Sequence, residues 1–344
     1  RFSYGLSASY SAKRQRLDPE RNLYTFDPYV RLKKTATELR NGPKDKKSRP
    51  QSGQDAFFIS SVGDTDSIAF GVVDGVGGWE ESGVDPADFA HGLCDYMASA
   101  ARTFPEGFNT SEARPKDLLE IGYLKVMEDM SIAAGGSTAC VATVDSAGHL
   151  EVANLGDSGF IHFGLNAVRY VSPPQTHAFN TPYQLSKLPP KMLEQMKLFQ
   201  GGAKPFAEHP DDSAITDHQM RHGDVLIFAT DGVWDNLSPQ DTLEIVNRVM
   251  VSAGAWVESS DGVEVGEPLR RLSKRAAGQT SNRDEVNLTA VLALAITKEA
   301  KEASLNTKRD GPFAREVQRL YPAENWRGGK ADDICAVVAI AIEE

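Results

Sequence analysis

The sequence predicts an α+β fold in which antiparallel sheets are covered by each other and by helices. Three observations predict it. Strand-like runs follow one another across short turns, the spacing of a meander rather than of β-α-β crossovers. The order along the chain is strands, two helices, strands, two or three helices, and a last strand. Most strands are apolar on both faces, so neither face of a sheet is left for water.

The elements follow in order. A polar connector with Pro and Gly, 41–53, separates a basic front from the body. Ala56–Ser61 and Ser67–Val73 read as a strand pair across a Gly-Asp turn. Asp85 to Thr103 has helical character, with Asp85 as the cap and Pro86 in the first turn. Pro115 to Ala133 reads as a second helix. Four strand segments come next: Ala139–Val144, Leu150–Ala153, Gly159–Phe163 and Val168–Val171. Residues 172–211, rich in Pro, Gln, Gly and His, form a long excursion of the kind that often carries function. Ile215–His218 and Val225–Thr230 restore strands. The segments 239–251, 266–277 and 285–304 read as helices, and a polar stretch with Gly328-Gly329 leads into a final strand, Ile334–Ile342. The expected organisation is a basic segment, 1–48, able to add a first strand, and a single domain, 49–344.

Charge narrows the function classes. The net charge of −11 argues against nucleic acid as a general partner, because a phosphate backbone needs a basic face. The charge is uneven. Residues 1–49 hold 13 basic and 5 acidic residues, and the remainder holds 24 and 43. The basic front reads either as a solvated leader or as the remnant of an organelle-targeting segment. The longest candidate span, Leu288 to Ile296, stops near nine residues. A membrane span needs ~18, so none is expected. Cys94, Cys140 and Cys335 sit among apolar or small residues and form no CxxC pair, which predicts buried free thiols.

Three aspartates occupy comparable places. Asp74 ends SIAFGVVD, Asp231 ends DVLIFATD, and Asp332 stands just before ICAVVAIA. Antiparallel strands can bring such ends to one edge and gather the three carboxylates in one cleft. Like charges that close raise one another's pKa unless cations neutralise them. Hard oxygen donors select Mg²⁺ or Mn²⁺ over zinc. Gly75 leaves a bare backbone whose carbonyl can approach a metal or its water. Gly232 follows Asp231, and Asp333 is placed to orient Asp332. A single Asp-Gly after an apolar run is ordinarily a turn. Two such strand ends and an Asp-Asp strand start favour a site.

The chain resembles the PP2C-type metal-dependent Ser/Thr protein phosphatases. The runs that carry the resemblance are GQDAFF (53–58), GVVDGVGGW (71–79), GGSTAC (135–140), NLGDSG (154–159), FATDGVWDNLS (228–238) and DDICAVVA (332–339). They occur in the family's order from about residue 50 to 342. The resemblance implies a four-layer α/β/β/α sandwich of two antiparallel sheets. It implies two Mg²⁺ or Mn²⁺ ions bridged by Asp74, with the Gly75 carbonyl, Asp231 and Asp332 as further ligands. It places Asp55 near the metal waters and Asp235 in an outer shell, and reads Asn154, Gly156 and Asp157 as a structural turn. The implied reaction is hydrolysis of phosphoserine or phosphothreonine by a metal-bridged hydroxide, without a phosphoenzyme.

DGVGGW, HAFNTPYQLS (177–186) and FSYGLSASYSAK near the start are similar to a mitochondrial PP2C-like subgroup of fungi and animals. That likeness implies matrix phosphoproteins as substrates, ubiquinone-synthesis enzymes among them, with the excursion around Ala178–Pro190 as the place of substrate selection or as a covering loop.

The chain departs from the family at several positions. Val76 stands where many members have a histidine thought to protonate the leaving group, so a metal-bound water is expected to donate that proton; an acid limb lost on mutating His177 or His209 would count against it. Gln54 replaces a glutamate ligand, so one metal is expected to be held less tightly. Ala133 replaces an aspartate of a third site, and no third tight site is expected there. The substrate-binding arginine has no clean match, with Arg49 and Lys47 nearby. Asp284, in SNRDEVN, is an alternative to Asp332 as a ligand. These departures keep open a non-catalytic adaptor on the same fold, and the site also admits a small-molecule phosphatase.

Overall fold

In the computed structural model the first and last strands of the chain lie side by side. The structure describes residues 1–28, 46–189, 194, 208–273 and 287–344. β1 (Phe2–Ser11) and β2 (Leu23–Thr25) come first, then the hairpin β3 (Asp55–Ser61) and β4 (Ile68–Asp74). Helices α1 (Pro86–Thr103) and α2 (Pro115–Glu128) follow. The meander comprises β5 (Gly135–Ser137), β6 (Ala139–Val144), β7 (His149–Leu155), β8 (Gly159–Gly164) and β9 (Ala167–Val171). Within the excursion lie β10 (Thr176–Ala178), β11 (Thr181–Pro182) and β12 (Leu185–Lys187). β13 (Ala214–Gln219) and β14 (Val225–Ala229) lead to a one-turn helix, α3 (Asp231–Trp234), and to α4 (Pro239–Ser252). A hairpin of β15 (Trp256–Ser259) and β16 (Gly262–Val265), helices α5 (Pro268–Ser273), α6 (Leu288–Leu305) and α7 (Pro312–Leu320), and strand β17 (Ile334–Glu343) complete the chain.

Two large sheets result. One runs β2-β1-β17-β14-β8-β9 and the other β13-β7-β6-β4-β3. Neighbouring strands in both are antiparallel. Phe70, Val72 and Cys140 of the second sheet meet Phe160, Phe228 and Val337 of the first. The Phe160 and Phe228 rings stack at 4.9 Å, and Phe70 meets Phe228 edge-on at 5.0 Å. Phe89, Leu93 and Leu118 of α1 and α2 cover the outer face of the second sheet. Val246, Leu292 and Ile296 of α4 and α6 cover the first. The strands therefore bury both faces, and the four-layer α/β/β/α sandwich expected from the sequence is present. The three cysteines are free and buried. Among the described residues no helix is long and apolar enough to cross a membrane.

Several boundaries move. α2 stops at Glu128 instead of reaching Ala133, because the Asp129 carboxylate turns the chain by accepting from the Ser131 N–H at 2.8 Å and its hydroxyl at 2.7 Å. The helix expected over 266–277 begins at Pro268, and its end after Ser273 lies outside the described residues. The hairpin β15–β16 and helix α7 were not anticipated. β15 is mostly exposed, so apolar alternation marks it weakly; α7 is short and polar on average but strongly amphipathic, with Ala314 and Val317 buried on one face, a helical signal that was available and missed.

Candidate metal centre

The register of β3 and β4 sets Asp55 directly opposite Asp74. Two carboxylates facing each other across strands repel, so something else must hold them there. Asp55 is 1 % exposed, and its Oδ2 accepts from the Thr230 hydroxyl at 2.7 Å. Thr230 Oγ1 in turn accepts from the Cys335 N–H at 3.1 Å, which fixes the end of β14 to the start of β17. The next residue after Thr230 is Asp231, and Asp332 lies two residues before β17. Four aspartates thus converge on one edge of the sandwich, where the two sheets meet.

Glycine is required at the bridge position. A Cβ on Gly75 would lie 2.9 Å from both the Gln54 and Pro86 carbonyl oxygens. The Gly75 N–H donates to the Gln54 oxygen at 3.2 Å, and the Thr138 N–H donates to the Asp74 oxygen at 2.9 Å. These bonds hold the Asp74-Gly75 backbone independently of the carboxylate.

The second Asp of the 332–333 pair bonds Asp332 through its backbone, as expected, and has a further role through its side chain. The Asp333 carboxylate accepts from the Lys13 N–H at 2.7 Å and the Gln54 N–H at 2.9 Å. It clamps two backbone segments, while its own N–H donates to Asp332 Oδ1 at 3.1 Å. The Gln54 side chain donates to Glu80 Oε1 at 2.6 Å. Arg49, expected in a solvated linker, pairs with Asp88 at 2.7 Å and is largely buried. Ala133 is exposed on the turn after α2. Asp284 lies outside the described residues.

Two residues of the site were missed or misread. Lys330 enters the cluster, its Nζ 2.7 Å from Asp231, 2.6 Å from Asp235 and 3.2 Å from Asp332. The only signal for it was its nearness to the Asp pair. Asp157, read as part of a structural turn, shares the electrostatic field of Asp231, Lys330 and Asp332. Its place in NLGDSG, one of the ordered motifs, was the available signal.

The electrostatics are those of an anionic site short of cations. Burial, with Asp333 adding, pushes the Asp55 carboxyl well above the usual range. Burial, then Asp55 and Asp231, does the same at Asp74. Burial and Asp231 raise Asp235 and Asp332 against the opposing pull of Lys330, and raise Asp157 to about 7. Among the described residues no three Asp, Glu, His or Cys side chains are already drawn together to hold a metal ion. Three of the carboxylates turn to the Lys330 ammonium instead. The donor set of hard, crowded, anionic oxygens that already draws in one cation fits Mg²⁺ or Mn²⁺.

A pH dependence follows for protein stripped of divalent ions. The raised carboxyls keep protons when folded that the unfolded chain has lost, so stability falls as pH rises from about 4 to about 7. Asp88, Asp129, Asp241 and Asp310, which are held below the usual range, act only under the unfolded value of 3.8, while His218 and His222, lowered by burial, oppose the trend below 6.5 but are fewer than the raised carboxyls. A melting temperature roughly 5 °C higher at pH 5.5 than at pH 8 is expected in chelator by calorimetry, with Mn²⁺ flattening the trend. A melting temperature that rises with pH in chelator would contradict the cluster.

No family model matches the chain. The protein named "Protein phosphatase 2C homolog 7, mitochondrial" of Saccharomyces cerevisiae is 32 % identical over 293 residues, 84 % of this chain and 74 % of the relative. The chain belongs to the PP2C family of protein phosphatases. The human relative named "Protein phosphatase PTC7 homolog" is 30 % identical over 295 residues, 85 % of this PP2C chain and 80 % of the relative. Among solved structures, the photosystem II phosphatase PBCP superposes with a TM-score of 0.60 over 99 % of this chain and 98 % of that one, at 20 % identity. At that identity the likeness speaks for the PP2C sandwich alone.

Proposed function

We propose that the chain hydrolyses phosphoserine and phosphothreonine monoesters in proteins, with two Mg²⁺ or Mn²⁺ ions held by Asp74, the Gly75 carbonyl, Asp231 and Asp332 and with Asp55 beside them. The observation that carries this reading is the convergence of four aspartates on one sheet edge of a PP2C-family chain. Bound there, such ions supply positive charge to phosphate oxygens and lower the pKa of an attacking water. Thr230 fixes the Asp55 carboxylate, and the Asp333 clamp sets the backbone on either side of the cleft. The retained aspartates favour catalysis over the adaptor reading.

His177 and His209 are each engaged by other side chains, which supports assigning the leaving-group proton to water. His177 Nε2 lies 2.7 Å from Glu208 Oε1, and its ring stacks on Tyr183 at 4.5 Å. The His209 ring packs edge-on against Tyr123 at 6.1 Å. Val76 is half-buried at the end of β4. His177→Ala and His209→Ala are therefore expected to leave the acid limb of the pH–rate profile in place. Loss of that limb in either variant overturns the assignment.

Mitochondrial phosphoproteins are the proposed substrates, supported by the printed name of the yeast relative and by the basic front of the chain. Location in the matrix and action on ubiquinone-synthesis enzymes belong to the same proposal. The test is phosphate release from a phosphothreonine peptide and from p-nitrophenyl phosphate with Mn²⁺. Chelation is expected to lower both rates at least ~10³-fold, the equivalent of several kcal/mol of charge stabilisation. A folded protein that turns over neither substrate returns the adaptor reading.

A further inference from the structure

The most unusual feature of the cleft is its internal cation. Lys330 is largely buried, with a side-chain exposure of 15 %. Its ammonium donates to Asp231 Oδ2 at 2.7 Å and to Asp235 Oδ2 at 2.6 Å, and stands 3.2 Å from Asp332 Oδ2. A lysine has three N–H donors, and here three carboxylates face them. The Phe313 ring lies against the same ammonium at 5.0 Å and backs it with a π face.

The backbone sets this position in advance. Asn236 Oδ1 accepts from the Lys330 N–H at 3.0 Å, and Asn236 Nδ2 donates to the Lys330 carbonyl at 2.9 Å. The same amide donates to the Gly232 carbonyl at 2.9 Å, tying Lys330 to the turn that carries Asp231. Asn236 is 1 % exposed, so the clamp is dry and fully used. Upstream, the Gly328 N–H donates to Asp310 and the Gly329 N–H to the Asn306 carbonyl. The lysine therefore arrives on a fixed loop with its charge delivered to the same oxygens that a metal needs.

We infer that Lys330 is a tethered competitor cation. It neutralises Asp231, Asp235 and Asp332 in the metal-free protein and must be displaced from Asp231 and Asp332 when a divalent ion loads there. The inference rests on the metal-dependent reading above and deepens it, because it makes one residue of this chain the determinant of how much metal is needed. A single ammonium shared by three carboxylates leaves the set under-neutralised, so a divalent ion still gains by replacing it. Two attractions compete for the same oxygens, and the divalent ion has twice the charge. Lys330 is a positioning residue in this scheme, since it touches the ligands and not the substrate.

The experiment measures Mn²⁺ binding by calorimetric titration to the wild-type protein, Lys330→Gln and Lys330→Arg. Lys330→Gln is expected to bind Mn²⁺ about tenfold more tightly while melting at a lower temperature in chelator. Lys330→Arg keeps the charge and is expected to stay within about threefold of wild type. Unchanged or weaker Mn²⁺ affinity in a folded Lys330→Gln overturns the inference, as does an Arg variant that tightens to match Gln. A purely supporting role for the side chain predicts weaker binding, the opposite sign. Should the variants fail to fold, amine acylation of the wild-type protein read by mass spectrometry decides. Labelling of Lys330 is expected to rise severalfold on adding Mn²⁺, and labelling that stays constant or falls counts against displacement. Absence of any Mn²⁺ binding to wild type would instead refute the metal reading itself, which keeps the two failures distinct.

Discussion

Asp74→Asn is expected to reduce Mn²⁺-dependent phosphate release by at least ~10³-fold without unfolding the chain. Asp74 faces Asp55 across the β3–β4 ladder and ends the strand that turns into Gly75. Its backbone bonds to Thr138, at 3.2 Å from the Asp74 N–H and 2.9 Å to the Asp74 carbonyl, do not involve the carboxylate. The amide replacement keeps shape and removes one of several mutually repelling charges. In chelator the melting temperature should therefore hold or rise, because the repulsion from Asp55 and Asp231 is relieved. Release of phosphate and thermal melting, measured on the same preparation, check both halves. Near-wild-type turnover, or collapse of the fold, would remove Asp74 from the centre of the mechanism.

Gly232→Ala should be the most damaging conservative change near the site. Gly232 is the second residue of α3, where alanine's higher helix propensity would ordinarily contribute about 1 kcal/mol. Here a Cβ would lie 1.9 Å from the Asp333 carbonyl oxygen and 3.1 Å from Ile334 Cγ1. The contacted atom is backbone and cannot rotate away, so the start of β17 has to move. Overpacking typically costs about 1–3 kcal/mol, and a clash with backbone puts this case at the upper end, above the propensity gain. Because the displaced segment carries Asp332, Mn²⁺ affinity should fall together with stability. Calorimetry and Mn²⁺ titration test this, and an alanine variant that keeps both contradicts the packing seen here.

Much of the fold could be read from the sequence because its strands are bounded by turns and bury both faces. The long helices were visible for similar reasons: Asp85 and Pro86 start α1, and its Ala87 N–H donates to the Asp85 carboxylate at 3.0 Å. The central aspartates were legible because each marks a strand end, a position that periodicity fixes. Lys330 was not, since a lysine in a Gly-rich polar loop looks like a solvated charge until the loop is folded back onto Asp231. Asp333 was legible only in part, since its N–H does reach Asp332 Oδ1 but its carboxylate has other partners. Sequence adjacency suggested that it serves Asp332, whereas its carboxylate faces Lys13 and Gln54, 320 and 279 residues away along the chain. Long-range hydrogen bonds of that kind leave no local pattern to read.

The pairing of β1 with β17 has a consequence for how the protein comes into being. Ten residues of the first strand pair with ten of the last, and the Glu344 N–H reaches the Arg1 carbonyl at 2.8 Å. That strand cannot complete its main pairing before β17 is available. Asp55 and Asp74 lie far upstream of the segment that brings Asp332 and Lys330 to them. No truncated or partly synthesised chain can carry the complete centre. Contacts of such long sequence separation fold slowly, and until β17 joins it β1 leaves an edge without its main partner.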